Sequence, residues 1–152
     1  MITRIGHQAI RARDIEATAK FYREVLGMKE AFRMQNLEGT KLGSIHMFVA
    51  PSQYIEIFPN GEDEFKPGKT TIGHSHMCFE VDDAAKTLEE FRARGAPIDV
   101  ELKKGYSKCI QFWTHDPDGN SMEFMELPPD CKQVEANKRI AAEEAAERGA
   151  KA

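Results

Sequence analysis

The sequence predicts an α+β fold: two tandem βαβββ modules that build a curved mixed sheet around a cleft, followed by a C-terminal helix. Two observations carry this expectation. One order of structural signals occurs twice along the chain, and the distances between its landmarks repeat almost unchanged.

Module one is expected over residues 1–60. A short strand-like run from His7 to Ala12 leads to Asp14, a helix-capping residue type, then to a helical pattern from Ile15 to Leu26 closed by Gly27. Module two, residues 72–127, repeats this with His76 to Val81, Asp83, a helical pattern from Ala84 to Arg94, and Gly95. In both, seven residues separate the histidine from the capping aspartate. Each half then ends on a strand with a glutamate among apolar neighbours, Tyr54-Ile55-Glu56-Ile57-Phe58 and Met122-Glu123-Phe124-Met125. The histidine-to-glutamate separations are 49 and 47 residues.

Between these landmarks, Gly43 to Ala50 and Lys108 to Thr114 read as strands. Pro51-Ser52-Gln53 and Asp116-Pro117-Asp118-Gly119-Asn120 read as turns, the latter with the residue chemistry of a tight turn. Residues 61–71, polar and marked by Gly61 and Pro67-Gly68, form the expected linker. Residues 128–152 form a tail in which Gln133 to Arg148 reads as a solvated helix.

A length of 152 residues with 41% hydrophobic content suits one domain over residues 1–127 plus that tail. Interspersed charges summing to −4 argue against nucleic acid as a partner. No apolar stretch is long enough to span a bilayer and the N-terminus lacks a signal-peptide apolar region, so a cytoplasmic protein away from membranes is expected. Cys78, Cys109 and Cys131 are widely spaced, without a CxxC pair, and indicate neither a disulfide framework nor a thiolate zinc site.

Strand phase turns these landmarks into a candidate site. Residues two apart share a strand face, so His7 shares one with Ala9 and Arg11, and His76 with Cys78 and Glu80. Ile55 and Ile57 oppose Glu56, while Met122 and Phe124 oppose Glu123. A carboxylate at the centre of an apolar strand is costly unless solvated or paired, and two at matching places ask for a cation. His7, Glu56, His76 and Glu123 would supply two nitrogens and two oxygens to one divalent ion, with zinc, nickel, cobalt, manganese and iron(II) all compatible.

His74 competes with His76, because it shares the same strand face and lies 49 residues before Glu123; the seven-residue spacing to Asp83 favours His76. His46 and His115 read as structural or surface groups. Arg11 lies four residues beyond His7 on the same face, roughly 13 Å along the strand, placed either to meet an anionic substrate end or to form an ion pair at the rim. Lys103 to Lys108 reads as a solvated basic turn or a flap over the cleft.

Residues 4 to 127 resemble the vicinal oxygen chelate superfamily, which includes glyoxalase I, bleomycin-resistance proteins and extradiol dioxygenases. The resemblance rests on His7, Asp14-Ile15, Phe21-Tyr22-Arg23-Glu24-Val25-Leu26-Gly27-Met28 and Tyr54-Ile55-Glu56-Ile57-Phe58. In the second half it rests on His76-Met77-Cys78-Phe79-Glu80-Val81-Asp82-Asp83 and on Asp116-Pro117-Asp118-Gly119-Asn120 leading to Glu123. A glutamate at position 56 as well as at 123 is similar to glyoxalase I rather than to the extradiol enzymes, and drug-sequestering members generally lack the metal set.

The resemblance therefore implies a metal-dependent lyase or isomerase acting on an α-hydroxycarbonyl compound through an enediolate, such as lactoylglutathione lyase. Glu123 would be the base, with Glu56 the alternative, and Arg11 would face a substrate carboxylate. An extradiol-type dioxygenase and a non-catalytic small-molecule-binding protein are the competing expectations. The resemblance also implies a homodimer, with the ligands supplied by one chain or by two.

Overall fold

The computed structural model describes residues 2–63 and 70–150, so residues 64–69 of the expected linker lie outside the described residues. Two four-stranded sheets form, each backed by one helix. The first contains β1 (His7–Arg11), β2 (Lys29–Gln35), β3 (Leu42–Ala50) and β4 (Gln53–Phe58), in the order β1-β4-β3-β2 with α1 (Ile15–Glu24) after β1. The second contains β5 (Met77–Glu80), β6 (Ile98–Lys104), β7 (Ile110–His115) and β8 (Ser121–Glu126), in the order β5-β8-β7-β6 with α2 (Ala84–Ala93) after β5. The repeat seen in the sequence is thus a repeat of topology. In each sheet the first strand pairs in parallel with the last, and the other pairings are antiparallel.

Local chemistry fixes both helices. The Asp14 carboxylate accepts from the backbone N–H groups of Glu16 and Ala17 at 3.1 Å, and Asp83 accepts from Lys86 at 2.9 Å. Gly27 and Gly95, at φ 73° and 85°, turn the chain out of each helix through the left-handed region that a side chain disfavours. The inward helix residues Ala19, Tyr22, Leu88 and Phe91 then meet the apolar strand faces. Ile45, Met47, Ile55 and Ile57 form that face in the first sheet, with Phe112, Met122 and Phe124 in the second. Each of these large side chains contributes about 1.5–3 kcal/mol by leaving water.

A polar latch joins the halves. The turn between β7 and β8 presents Asp118, which accepts from the Thr18 hydroxyl at 2.8 Å and from the Arg13 backbone N–H at 3.1 Å. Its neighbour Asp116, 1% exposed, accepts from the Tyr22 hydroxyl at 3.3 Å. Burial raises the pKa of the Tyr22 phenol, and the Asp116 charge raises it further. Burial likewise raises Asp116, partly offset by its hydrogen bonds to Asn120.

The tail forms α3 (Lys132–Ala150), whose entry is held by Lys132 N–H to Ser107 O at 2.9 Å and by the Cys109 thiol to Gln133 Oε1 at 3.1 Å. Cys109 and Cys131 are buried and carry free thiols. From Asn137 to Gly149 the helix is exposed on all sides, as its polar sequence predicts. No helix among the described residues is long and apolar enough to cross a membrane.

Candidate metal centre

With Ile55, Ile57, Met122 and Phe124 turned to the helices, Glu56 and Glu123 stand on the opposite sheet faces, each side chain only 13% exposed. Each glutamate has its histidine beside it. His7 Nε2 lies 3.5 Å from Glu56 Oε2, and His76 Nε2 lies 3.2 Å from Glu123 Oε2. The backbone register is the same in both halves: Ala9 pairs with Glu56 and Cys78 with Glu123, and the histidine sits two residues before each partner. His76 is therefore the structural counterpart of His7. His74 lines the cleft between the halves but occupies the place corresponding to Ile5.

The donor chemistry fits a divalent ion. Two donors bound side by side, each about 2.1 Å from a metal, are about 3.0–3.4 Å apart; the His76–Glu123 separation of 3.2 Å falls in that range and the His7–Glu56 separation of 3.5 Å just above it. Within a single chain, however, the four side chains form two separate pairs. Among the described residues no group of three His, Cys, Asp or Glu side chains is arranged to hold a metal ion. His7 is 55% exposed, and it lines with His76 a cleft of about 450 Å³ between the first strands of the two sheets.

The remaining candidates separate clearly. Arg11 shares the strand face of His7; its guanidinium donates to the Pro59 carbonyl at 2.8 Å and lies 5.6 Å from the centre of the Phe58 ring. His115 pairs with Asp99 at 2.9 Å on the surface. Lys103 and Lys104 end β6, and Gly105 to Lys108 form the following turn, whose Lys108 ion-pairs with Asp130 of the tail.

Three residues beside the glutamates were not singled out as site residues from the sequence. His46 is paired in register with Glu56 and places Nε2 3.2 Å from Oε1. In the second half Trp113 holds the corresponding place opposite Glu123, its ring centre 4.5 Å from that of His76. Cys78 is the register partner of Glu123 on the other side, and burial, with the Glu123 charge next, pushes its thiol up to about 12. Strand phase carried the missing signal: the polar Ser44 and His46 alternate with the apolar Ile45 and Met47 of the helix-covered core, which turns His46 to the Glu56 face.

The profile of the Glyoxalase/Bleomycin resistance protein/Dioxygenase superfamily matches residues 4–124. The chain belongs to this superfamily. A similar member is the lactoylglutathione lyase of Haemophilus influenzae, 32% identical over 127 residues that cover 80% of this chain and 91% of that protein. The probable chloroplastic lactoylglutathione lyase of Arabidopsis thaliana is 33% identical over 133 residues, 83% of this chain, which spans only 36% of the plant protein. Among solved superfamily structures, the glyoxalase family protein from Enterococcus faecalis matches with a TM-score of 0.68 at 25% identity, covering 81% of this chain and 97% of that one.

Proposed function

We propose that this chain is a divalent-metal-dependent lyase or isomerase of glyoxalase I type, acting on an α-hydroxycarbonyl substrate, with lactoylglutathione lyase the leading reaction. The observation that carries this reading is the duplicated histidine–glutamate pair, set in one register on two sheets. A binding protein has no need for two carboxylates held on apolar strands beside imidazoles, and an iron-dependent ring-cleaving site uses one carboxylate rather than two.

The site is completed by a homodimer. Each chain offers its two pairs on sheet faces turned away from its own helices, and Phe32, Met34 and Phe48 stand exposed on the face of the first sheet. A second copy laid against these faces would cover that apolar surface and could bring His7 and Glu56 of one protomer to His76 and Glu123 of the other. The ion would be zinc, nickel, cobalt, manganese or iron(II), which this donor set accepts alike.

Held by His7, Glu56, His76 and Glu123, such an ion would supply Lewis-acid chemistry to the substrate oxygens. Glu123 then acts as the base, taking the proton from the carbon that bears the hydroxyl and delivering it to the adjacent carbon. Glu56 would hold the ion. Arg11, at the rim, meets the anionic end of the substrate.

Proton-exchange NMR tests the reading. Protein loaded with metal should exchange the α-proton of a hydroxyketone or hemithioacetal with deuterated water, and Glu123→Gln should slow exchange by about 10²–10⁴-fold. Absence of exchange across such a panel points to a binding protein, and oxygen uptake with a catechol points to the oxygenase; either result ends the proposal.

A further inference from the structure

Two of the three cysteines, far apart in the sequence, meet where the tail docks on the second module. Cys109 immediately precedes β7 and Cys131 immediately precedes α3, and both are fully buried. Neither belongs to the main apolar core, so the two occupy a small enclosed spot of their own. We propose that Cys109 and Cys131 form a redox modification site: a hydroperoxide converts the paired thiols to a disulfide that staples the entry of α3 to the start of β7. The inference stands apart from the metal-dependent reading above.

Flanking contacts hold the two segments together. The Lys132 N–H donates to the Ser107 carbonyl at 2.9 Å, and the Cys109 thiol donates to Gln133 Oε1 at 3.1 Å. Asp130 lies 3.6 Å from the Lys108 ammonium group and 3.8 Å from that of Lys104. Residues 130–133 therefore run along residues 104–109. Burial raises the pKa of the Cys109 thiol, a hydrogen bond with Ser107 lowers it, and a hydrogen bond with the Cys131 thiol raises it again.

The other module shows what this position holds without a tail. His46 and Trp113 stand at equivalent places opposite the two glutamates, and four residues before them are Leu42 and Cys109. Leu42 packs on the core as an apolar residue. A thiol takes this place only in the module that carries the tail, and the tail supplies the second thiol.

The oxidation needs a two-electron acceptor, which the hydroperoxide provides. One sulfur, as the thiolate, attacks the O–O bond, giving a sulfenic acid and releasing an alcohol or water; the second attacks the sulfenic sulfur, forms the S–S bond and expels water. The two thiol hydrogens leave in the released products. Burial and a raised pKa make Cys109 slow to react in the closed molecule. The step proceeds when the first turn of α3 lifts, an opening favoured by a helix that is exposed on all sides beyond Asn137. Closing the bond makes a covalent ring of residues 109–131, which contains β7, β8, Trp113 and Glu123.

Peptide mapping tests the site directly. Trypsin cuts after Lys108 and Lys132 and nowhere between, so one peptide carries Cys109 and Cys131 while Cys78 falls in another. The full chain is treated with hydrogen peroxide, quenched with catalase, unfolded, labelled with iodoacetamide and digested, with and without prior dithiothreitol. The expected 109–132 peptide takes no label without reductant and two after it, and the oxidised protein melts roughly 5–15 °C above the reduced one. Cys131→Ser should lose both the reductant-dependent labels and the rise.

Two labels without reductant overturn the inference, because the thiols then remain unpaired. No label even after reductant overturns it through irreversible oxidation, and a bond to the Cys78 peptide overturns it through a different pairing. A disulfide with no rise in the midpoint overturns the staple. Should Cys131→Ser not fold, the wild-type map and melts decide alone.

Discussion

Replacing Asp116 with alanine should lower the folding free energy by about 2–4 kcal/mol, because the carboxylate organises a turn and joins two modules at once. It accepts from the backbone N–H of Asp118 at 3.0 Å and of Asn120 at 2.9 Å, from Asn120 Nδ2 at 2.9 Å and from the Tyr22 hydroxyl at 3.3 Å. Truncation orphans the two backbone donors, each at about 1–3 kcal/mol, while the two side-chain donors can reorient and add little. Tyr22→Phe removes only the longest of the four bonds and should cost about 1 kcal/mol or less.

Urea unfolding at constant slope reads both values. In a double-mutant cycle, adding Tyr22→Phe to Asp116→Ala should cost little more than Asp116→Ala alone. Burial raises the Asp116 pKa in the folded protein, so the stability linked to its protonated form is complete below the ordinary value of 3.8 and is lost as pH climbs through the raised one. The deficit of Asp116→Ala should therefore narrow as pH is raised above 3.8. A cost under about 0.5 kcal/mol, the range of ordinary surface substitutions, or a deficit that widens with pH would refute the reasoning.

Glu30 behaves with the opposite sign. Its carboxylate is bound by Arg33 and Arg23, with the Arg33 hydrogen bond the chief cause of a lowered pKa. Its contribution is complete above 4.5 and lost as pH falls, so Glu30→Gln should cost roughly 0.5–1 kcal/mol at pH 7 and progressively less below pH 4.5 in paired melts. Ending the chain after Asn137 removes the exposed part of α3 and should move the thermal midpoint by no more than about 2 °C, read by calorimetry. Removing bound metal with a chelator should lower the midpoint, because an ion held only by the native state at 1,000 times its dissociation constant stabilises by about 4 kcal/mol; re-addition of Zn²⁺ should restore it.

Much of this architecture could be read from residue order. Asp14 and Asp83 announce helix starts, Gly27 and Gly95 their ends, and the seven-residue spacing aligns the two halves. Two strands were not placed from the sequence. Lys29–Gln35 and Ile98–Lys104 are almost wholly exposed and interrupted by register shifts, so apolar alternation is too broken to mark them.

His46 escaped for a related reason. The hairpin turns at Pro51-Ser52, where Ala50 pairs with Gln53, and a regular ladder from there would set Met47, not His46, opposite Glu56. A bulge at Val49 absorbs one residue and brings His46 to Glu56 while Met47 keeps its buried place. Such a slip follows from strand phase on both sides of a turn, which no single motif displays. The sheet faces taken by the two histidine–glutamate pairs, by contrast, were readable, because the side on which each residue stands depends only on alternation along its own strand.

The latch has a consequence for how copies of this chain can combine. All its hydrogen bonds run between α1 with its capping loop and the turn that begins at Asp116, and these belong to different modules. Two chains that traded their second modules would recover each of these bonds, and both cores, intact. The free-energy difference between a closed chain and an exchanged pair then falls on the connection at residues 61–71 and on protein concentration, so shortening that connection should convert one form into the other without disturbing either sheet.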